Sequence, residues 1–530
     1  MLFVRVVLGI GIAAVVLIFS FHPQSIKEDA NAVNVRTDTV ISGKQLAHLY
    51  CQTCHLFPDP SLLDKKTWLG SVLPNMGWRL GIRDSATNPF IDMLPEEAAI
   101  VHALGVYPET QSVSNEDWTK IVAYYAAEAP EDPLPQKKVA PVARQLSLFE
   151  VSNISPGDKP LPQTTLLKFN HLAHQLYVGD AQKVLYVLDS NFNTHYTWYA
   201  DSPPVDIDFP KNAFPRLLTI GEFSPSDQKK GKMYSLDSAD TPAATDIYIQ
   251  SLQRPVQFAT ADLNMDKKED LIVCAFGNNE GKLAWYDNFQ TDKEHILSPM
   301  PGARKSVVYD FNRDGKPDIM ALMAQAREQL SIFYNEGNGQ FSEKILLEFP
   351  PVFGVSYFEL ADFNKDGFQD ILLTNGDNWD YSPIHKNYHG IRIYLNDGHN
   401  NFKETWFYPV YGASKAMAED FDKDGDLDIA AISFYADLDH PEQGFLYLSN
   451  EGNLKFIASI TTAAADGKWL TMETGDFDSD GDIDIVLGSY YHNINELRKL
   501  ISKGVLDFPQ LLLLKNNLKP GRSAAKQKTR

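Results

Sequence analysis

The stretch Cys51-Gln52-Thr53-Cys54-His55 carries the most specific chemistry in the chain. Two thiols separated by two residues and followed at once by an imidazole can add to the vinyl groups of a haem while the histidine ligates its iron, so one helical turn holds the macrocycle at three points. The same thiol spacing also serves redox pairs and zinc sites. A redox pair sits between a strand and a helix, and a zinc site needs further Cys or His ligands at matching spacing. Neither context surrounds Cys51 and Cys54. The expected cofactor is covalently bound haem c on Cys51, Cys54 and His55. Met76 is expected as the sixth iron ligand, from a loop-like stretch punctuated by Pro74 and Gly77, with Met93 and His102 as alternatives.

A second pattern recurs five times. Nine-residue acidic clusters occupy 262–270 (DLNMDKKED), 310–318 (DFNRDGKPD), 362–370 (DFNKDGFQD), 420–428 (DFDKDGDLD) and 476–484 (DFDSDGDID). Oxygen-bearing side chains fall at positions 1, 3, 5 and 9, and position 7 can offer its carbonyl, a set of hard ligands suited to calcium. The expected ligands are Asp262, Asn264, Asp266 and Asp270; Asp310, Asn312, Asp314 and Asp318; Asp362, Asn364, Asp366 and Asp370; Asp420, Asp422, Asp424 and Asp428; and Asp476, Asp478, Asp480 and Asp484. Gly315, Gly367, Gly425 and Gly481 hold position 6, where a sharp turn is needed. The first copy has Lys267 there and is the weakest.

These residues must be held by two kinds of scaffold. Leu46, Leu49 and Tyr50 lie at helical spacing before Cys51. Trp118, Ile121, Val122 and Tyr125 form a second stripe, started by Ser114 and ended by Pro130. Around the acidic clusters, by contrast, short apolar strands recur with period 48 to 58 residues, enough for one four-stranded antiparallel blade per repeat. Two degenerate blades without the acidic loop precede the five complete ones, which predicts seven blades over 149–518. The proline- and charge-rich stretch 132–148 reads as a semi-rigid linker, taken to be the sole connection between the two parts. Residues 519–530 read as a basic, frayed tail.

Composition narrows the function. The 530 residues carry a formal charge of -21, which disfavours a nucleic-acid partner and favours cations. Three cysteines cannot build a disulfide framework, and Cys274, inside an apolar strand, reads as a buried structural thiol. The apolar run from Val6 to Phe21, preceded by Arg5, reads as an export signal or a retained membrane anchor within 1–22. The rest is expected outside the cytoplasm, in the periplasm or cell envelope, with membrane contact only through that segment.

Residues 43–131 resemble a class I-type cytochrome c domain, and the acidic repeats resemble FG-GAP or VCBS repeats, which build β-propeller blades with calcium in the loop between the first two strands. The whole resembles exported bacterial VCBS-repeat proteins carrying a haem domain. The expected fold is multidomain: a small all-α cytochrome c domain followed by an all-β seven-bladed propeller. The expected function is electron transfer by the haem coupled to recognition of a redox partner protein or an envelope glycan by the propeller. A dehydrogenase-like propeller enzyme passing electrons to the haem and an adhesion or scaffold protein with a sensory or structural haem are the alternatives.

Antiparallel alternation puts the loops after each second strand on the face opposite the acidic clusters. In the last three blades these loops lengthen, at 375–390, 434–444 and 489–505, and they hold Trp379, Tyr381, His385, His389, Tyr435, His440, Tyr490, Tyr491 and His492. They are expected to form a polar aromatic surface suited to a sugar, a quinone or a protein partner.

Overall fold

The computed structural model describes residues 41–518 except 84–87, 92, 158–160, 237–246 and 378–380. The expected signal or anchor segment, the basic tail and Trp379 lie outside the described residues. Among the described residues, no helix is long and apolar enough to cross a membrane.

Short helices build the first part: α1 (Gly43–Cys51), α2 (Lys65–Thr67), α3 (Leu73–Arg79), α4 (Pro95–Ala103) and α5 (Asn115–Glu128), with a π-helical turn, Trp68–Val72, joining α2 to α3. Helix α1 starts on a capping box in which the Ser42 hydroxyl accepts from the Gln45 amide and the Gln45 side chain accepts from Ser42 N. Helix α5 starts where Ser114 accepts from Asp117 N. Leu46, Ile121 and Tyr125 are buried in a common core with Trp68 and Leu73, whereas Leu49, expected on the same stripe, is exposed. Gly43 lets α1 cross α5 closely, since a β-carbon there would lie 2.1 Å from the Lys120 carbonyl oxygen.

The second part is a ring of blades. Among the described residues seven four-stranded antiparallel sheets form, spanning 164–199, 204–252, 255–298, 303–349, 355–409, 413–459 and 469–516. The first strand of each blade lies innermost, against its neighbours' first strands. The count of seven holds, and so does the position of the two blades that lack an acidic loop. One strand comes from elsewhere in the chain. Phe149–Ile154, at the start of the repeat region, is the outer strand of the last blade, paired antiparallel with Leu511–Asn516. The two ends of the repeat region therefore close the ring by strand pairing, which leaves that blade with no missing edge strand.

The expectation that the linker alone joins the two parts is corrected by the structure. Glu97 of α4 accepts from the Ser226 hydroxyl and the Asp227 amide, both at 2.8 Å. Arg79 donates to Asn279 at 3.1 Å, and Val352, Tyr381 and Ile384 of the propeller join the helical core. The linker itself is tied down, with Ala143 N donating to Ala458 O and Ile460 N to Ala143 O. All of the helical contacts fall on the loop face opposite the acidic clusters. Linker composition gives no sign of such a surface match.

The tight helix crossing yields a first prediction. Gly43→Ala should force α1 and α5 apart and destabilise the helical part by about 1–3 kcal/mol, the usual range for overpacking. Thermal unfolding followed by near-ultraviolet circular dichroism is the measurement, and an unchanged melting profile would contradict the crossing.

Candidate functional site

The five acidic clusters all occupy the turn between the first and second strands of their blades, each ending as the second strand begins at Asp270, Asp318, Asp370, Asp428 or Asp484. These ninth-position aspartates are buried. In every copy one carboxylate oxygen accepts from the amide at position 2 (Leu263, Phe311, Phe363 or Phe477), or, in the fourth copy, from the Tyr447 hydroxyl. The other oxygen accepts from an amide near the end of the third strand: Asn288, Asn335, Asn396, Asn450 or Asn516. The ninth position, expected as a metal ligand, thus ties the acidic turn to the neighbouring hairpin.

Positions 1, 3 and 5 differ between copies. In the first three loops the position-1 carboxylate is fully engaged: Asp262, Asp310 and Asp362 each accept from the amides of positions 5 and 6. In the last two loops it is not. Asp420 accepts from Gly425 N and Asp476 from Gly481 N, but the Oδ1 atoms of both are buried with no hydrogen-bond partner. Those same loops bring Asp420, Asp422 and Asp424, and Asp476, Asp478 and Asp480, close enough for one ligand oxygen of each to lie within 4.8 Å of the others. A buried carboxylate oxygen without a donor is costly, and a cation is the partner that three converging carboxylates can share. Lysines supply local positive charge in two of the loops: Lys316 reaches Asp314 at 2.6 Å in the second, and Lys515 pairs with Asp478 and lies 3.7 Å from Asp480 in the last.

A feature invisible in the motif links the loops into a belt. The position-4 residues Met265, Arg313, Lys365, Lys423 and Ser479 all have positive φ, from 57° to 65°. Four of these side chains reach the next blade. Arg313 donates to Gly367 O at 3.0 Å, Lys365 pairs with Asp426 at 2.7 Å, Lys423 with Asp482 at 2.6 Å, and Ser479 meets His174 at 3.0 Å.

On the opposite face sits the C-x-x-C-H turn. Cys51 closes α1 and is half-buried, Cys54 is exposed, and both thiols are free. Burial pushes the Cys51 thiol up to about 11. The chain after His55 is pinned by two buried aromatics, with Tyr125 donating to Pro58 O and Trp68 to Pro60 O, each at 2.8 Å. His55 Nδ1 lies 2.8 Å from Leu56 O. A carbonyl only accepts, so Nδ1 carries the proton and Nε2 keeps its lone pair, the tautomer a metal-ligating histidine needs. Burial lowers the His55 pKa, which favours that neutral form. Arg327 of the fourth blade donates to Cys54 O at 2.9 Å.

Met76 lies on helix α3 rather than in a loop, because Pro74 stands in the first turn, where its missing amide costs nothing, and Gly77 packs under Trp118. It is half-buried against the same core as Cys51. Met93 is half-buried in a bend, and His102 is exposed on α4. Cys274 is fully buried, its Sγ 3.3 Å from Gln257 Oε1.

The three long loops are divided in role. His389, Tyr490 and Tyr491 are buried; Tyr490 stacks on Phe223 and Tyr491 donates to Asp466 O, so these serve packing rather than the surface expected of them. His385 and Tyr435 instead border a cleft of about 410 Å³.

With the geometry in place, comparison with known proteins adds one match. Residues 262–321, 310–373 and 420–487 match the FG-GAP-like repeat. The blades that carry these residues are FG-GAP-like repeats. No curated protein matches the chain. Solved structures similar to it include BBS1N in complex with ARL6DN, at TM-score 0.41 and 10% identity over 71% of this chain and 99% of that one. Another is the Neurospora crassa Pan2 WD40 domain, at TM-score 0.41 and 8% identity over 70% and 96%.

The burial of the ninth aspartates has a measurable consequence. Burial holds Asp428 and Asp484 up at about 7, above the ordinary carboxylate range. The folded state then binds more protons than the unfolded state between about pH 4 and 7, so stability falls as pH rises through that window. Urea unfolding in the presence of chelator should show this decline from pH 5 to 8, and Asp428→Asn should flatten it. A wild-type curve that rises with pH would contradict the assignment.

Proposed function

We propose that this chain is an exported c-type cytochrome fused to a calcium-binding FG-GAP propeller, transferring electrons in the cell envelope while the propeller recognises a partner or glycan. The observation that carries the reading is His55, directly after the paired thiols, with its proton fixed on Nδ1 by the Leu56 carbonyl and Nε2 left for a metal. Cys51 and Cys54 would attach the haem through thioether bonds, and His55 and Met76 would ligate its iron. Bound haem supplies one-electron exchange. The aromatic pins on Pro58 and Pro60 hold the histidine in place, and the formal charge of -21 favours a cationic redox partner.

For calcium the supporting observation is the pair of buried, partnerless oxygens on Asp420 and Asp476. The last two blades should bind first, through Asp420, Asp422 and Asp424 and through Asp476, Asp478 and Asp480.

Protein produced with covalent-haem maturation should keep its haem stain through denaturing electrophoresis, and Cys51→Ala with Cys54→Ala should abolish it. Covalent haem in that double variant would end the cytochrome reading. Met76→Ala should remove the methionine-to-iron charge-transfer band while Met93→Ala leaves it; the reverse would move the ligand to Met93.

Calcium at a hundredfold above Kd should stabilise the propeller by about 2.7 kcal/mol per site, read as a lower melting temperature on chelation. Asp424→Ala and Asp480→Ala should each remove about one bound ion. Elemental analysis finding no calcium, together with melting indifferent to chelator, would overturn this part.

A further inference from the structure

The cleft of about 410 Å³ lies on the loop face, walled by the long loops of the last three blades. That volume falls in the range of small-ligand sites. Its floor is aromatic and aliphatic: Phe434 is nearly buried, Tyr435 follows it, and Leu500 of helix α6 (Ile494–Ser502) closes one side. The Lys468 ammonium stands 4.2 Å from the centre of the Phe434 ring and 5.1 Å from that of Tyr435. This cation therefore covers the Phe434 ring, on which His492 also stacks, and leaves Tyr435 as the half-buried ring of the cleft.

The wall chemistry selects among ligands. Lys468, Lys499, Asp437 and Asp439 line the cleft, two positive charges and two negative ones, with Lys499 and, from just outside the lining, Lys503 beside Asp439. In a protein of charge -21 this balance is local, and it favours neither an anion nor a cation. His385, stacked on Tyr411 with ring centroids 4.3 Å apart, adds an imidazole whose burial favours the neutral form. Aromatic faces beside carboxylate acceptors and ammonium donors suit a ligand with apolar C–H faces and a rim of hydroxyls that both donate and accept. An uncharged quinone offers acceptors but no donors for the carboxylates.

We infer that the cleft between the last three blades binds a neutral saccharide, stacked on Tyr435 and hydrogen-bonded at its hydroxyls by Asp437 and Lys468. This rests on the glycan arm of the function proposed above and gives it a location. The loop that contributes His385 to the cleft contributes Ile384 and Tyr381 to the helical core, so the ligand lies within a residue or two of the helical part.

The test is isothermal titration of the full chain with cellobiose, maltotriose, laminaribiose and chitobiose, with galacturonate as a charged control. At least one neutral probe should bind saturably, and Tyr435→Ala and the near-isosteric Asp437→Asn should each weaken it by about tenfold or more, the loss of one good contact. Circular dichroism of both variants checks that they fold. Absence of saturable binding by every neutral probe, binding of galacturonate alone, or binding unchanged in folded Asp437→Asn would each overturn the assignment. Haem staining of the same preparations separates the two readings. Stain without saccharide binding counts against the cleft alone, and binding without stain counts against the cytochrome alone.

Discussion

The arrangement of the acidic face depends on one repeated interaction: a buried aspartate at the ninth position of each cluster, holding two hydrogen-bond donors, one of them near the end of the third strand. In four copies both donors are backbone amides, and in the fourth cluster Tyr447 replaces one of them. Hydrogen bonds to a charged acceptor are worth roughly 1.5–3 kcal/mol each, but the carboxylate must leave water to make them. Burial prevails in all five copies, raising the pKa of Asp270, Asp318 and Asp370 as well as those of Asp428 and Asp484. The staple aligns the acidic turn with the hairpin beside it in all five copies, whereas among the described residues three carboxylates converge in the last two, the copies with aspartate at position 3.

Much of this was legible because it depends on residue type at fixed spacing. Aspartate at 1, 5 and 9, with glycine at 6 in four copies, located the five turns, and the strand period located seven blades. Position 4 was not legible. Arg313, Lys365, Lys423 and Ser479 share no chemistry that a pattern could register; what unites them is a left-handed backbone that swings each side chain toward the next blade. The last two loops stand apart in the sequence, with Asp422 and Asp478 at position 3 where the first three carry Asn264, Asn312 and Asn364, but which carboxylate oxygen lacks a donor was not legible there.

The helical part was legible in its helices and misread in its punctuation and its setting. Proline and glycine around Met76 suggested a loop, yet Pro74 lies where a helix tolerates it and Gly77 makes room for Trp118. The aromatic residues of the long loops were read as surface by their polarity, but Tyr490 and Tyr491 find partners in Phe223 and Asp466, distant in sequence. A docking surface assembled from Glu97, Val352 and Tyr381 has no period at all, because its members belong to elements that meet only once both parts have folded.

That docking changes how the C-x-x-C-H turn must be understood. Burial is the largest influence on His55 and lowers its pKa, the Leu56 carbonyl opposes it, and Arg327 adds a further lowering from the propeller side. Arg327 sits beside the hairpin turn of the fourth blade and donates to the Cys54 carbonyl, so its position is set by blade geometry and its field falls on the histidine. The propeller thus contributes to keeping the imidazole neutral, and the linker does not insulate one part from the other. The acidic turns lie across the full length of the strands from this contact. The face with the carboxylates and the face that meets the thiol turn lie at opposite ends of the blade strands, so any influence of one on the other has the length of a blade to cross.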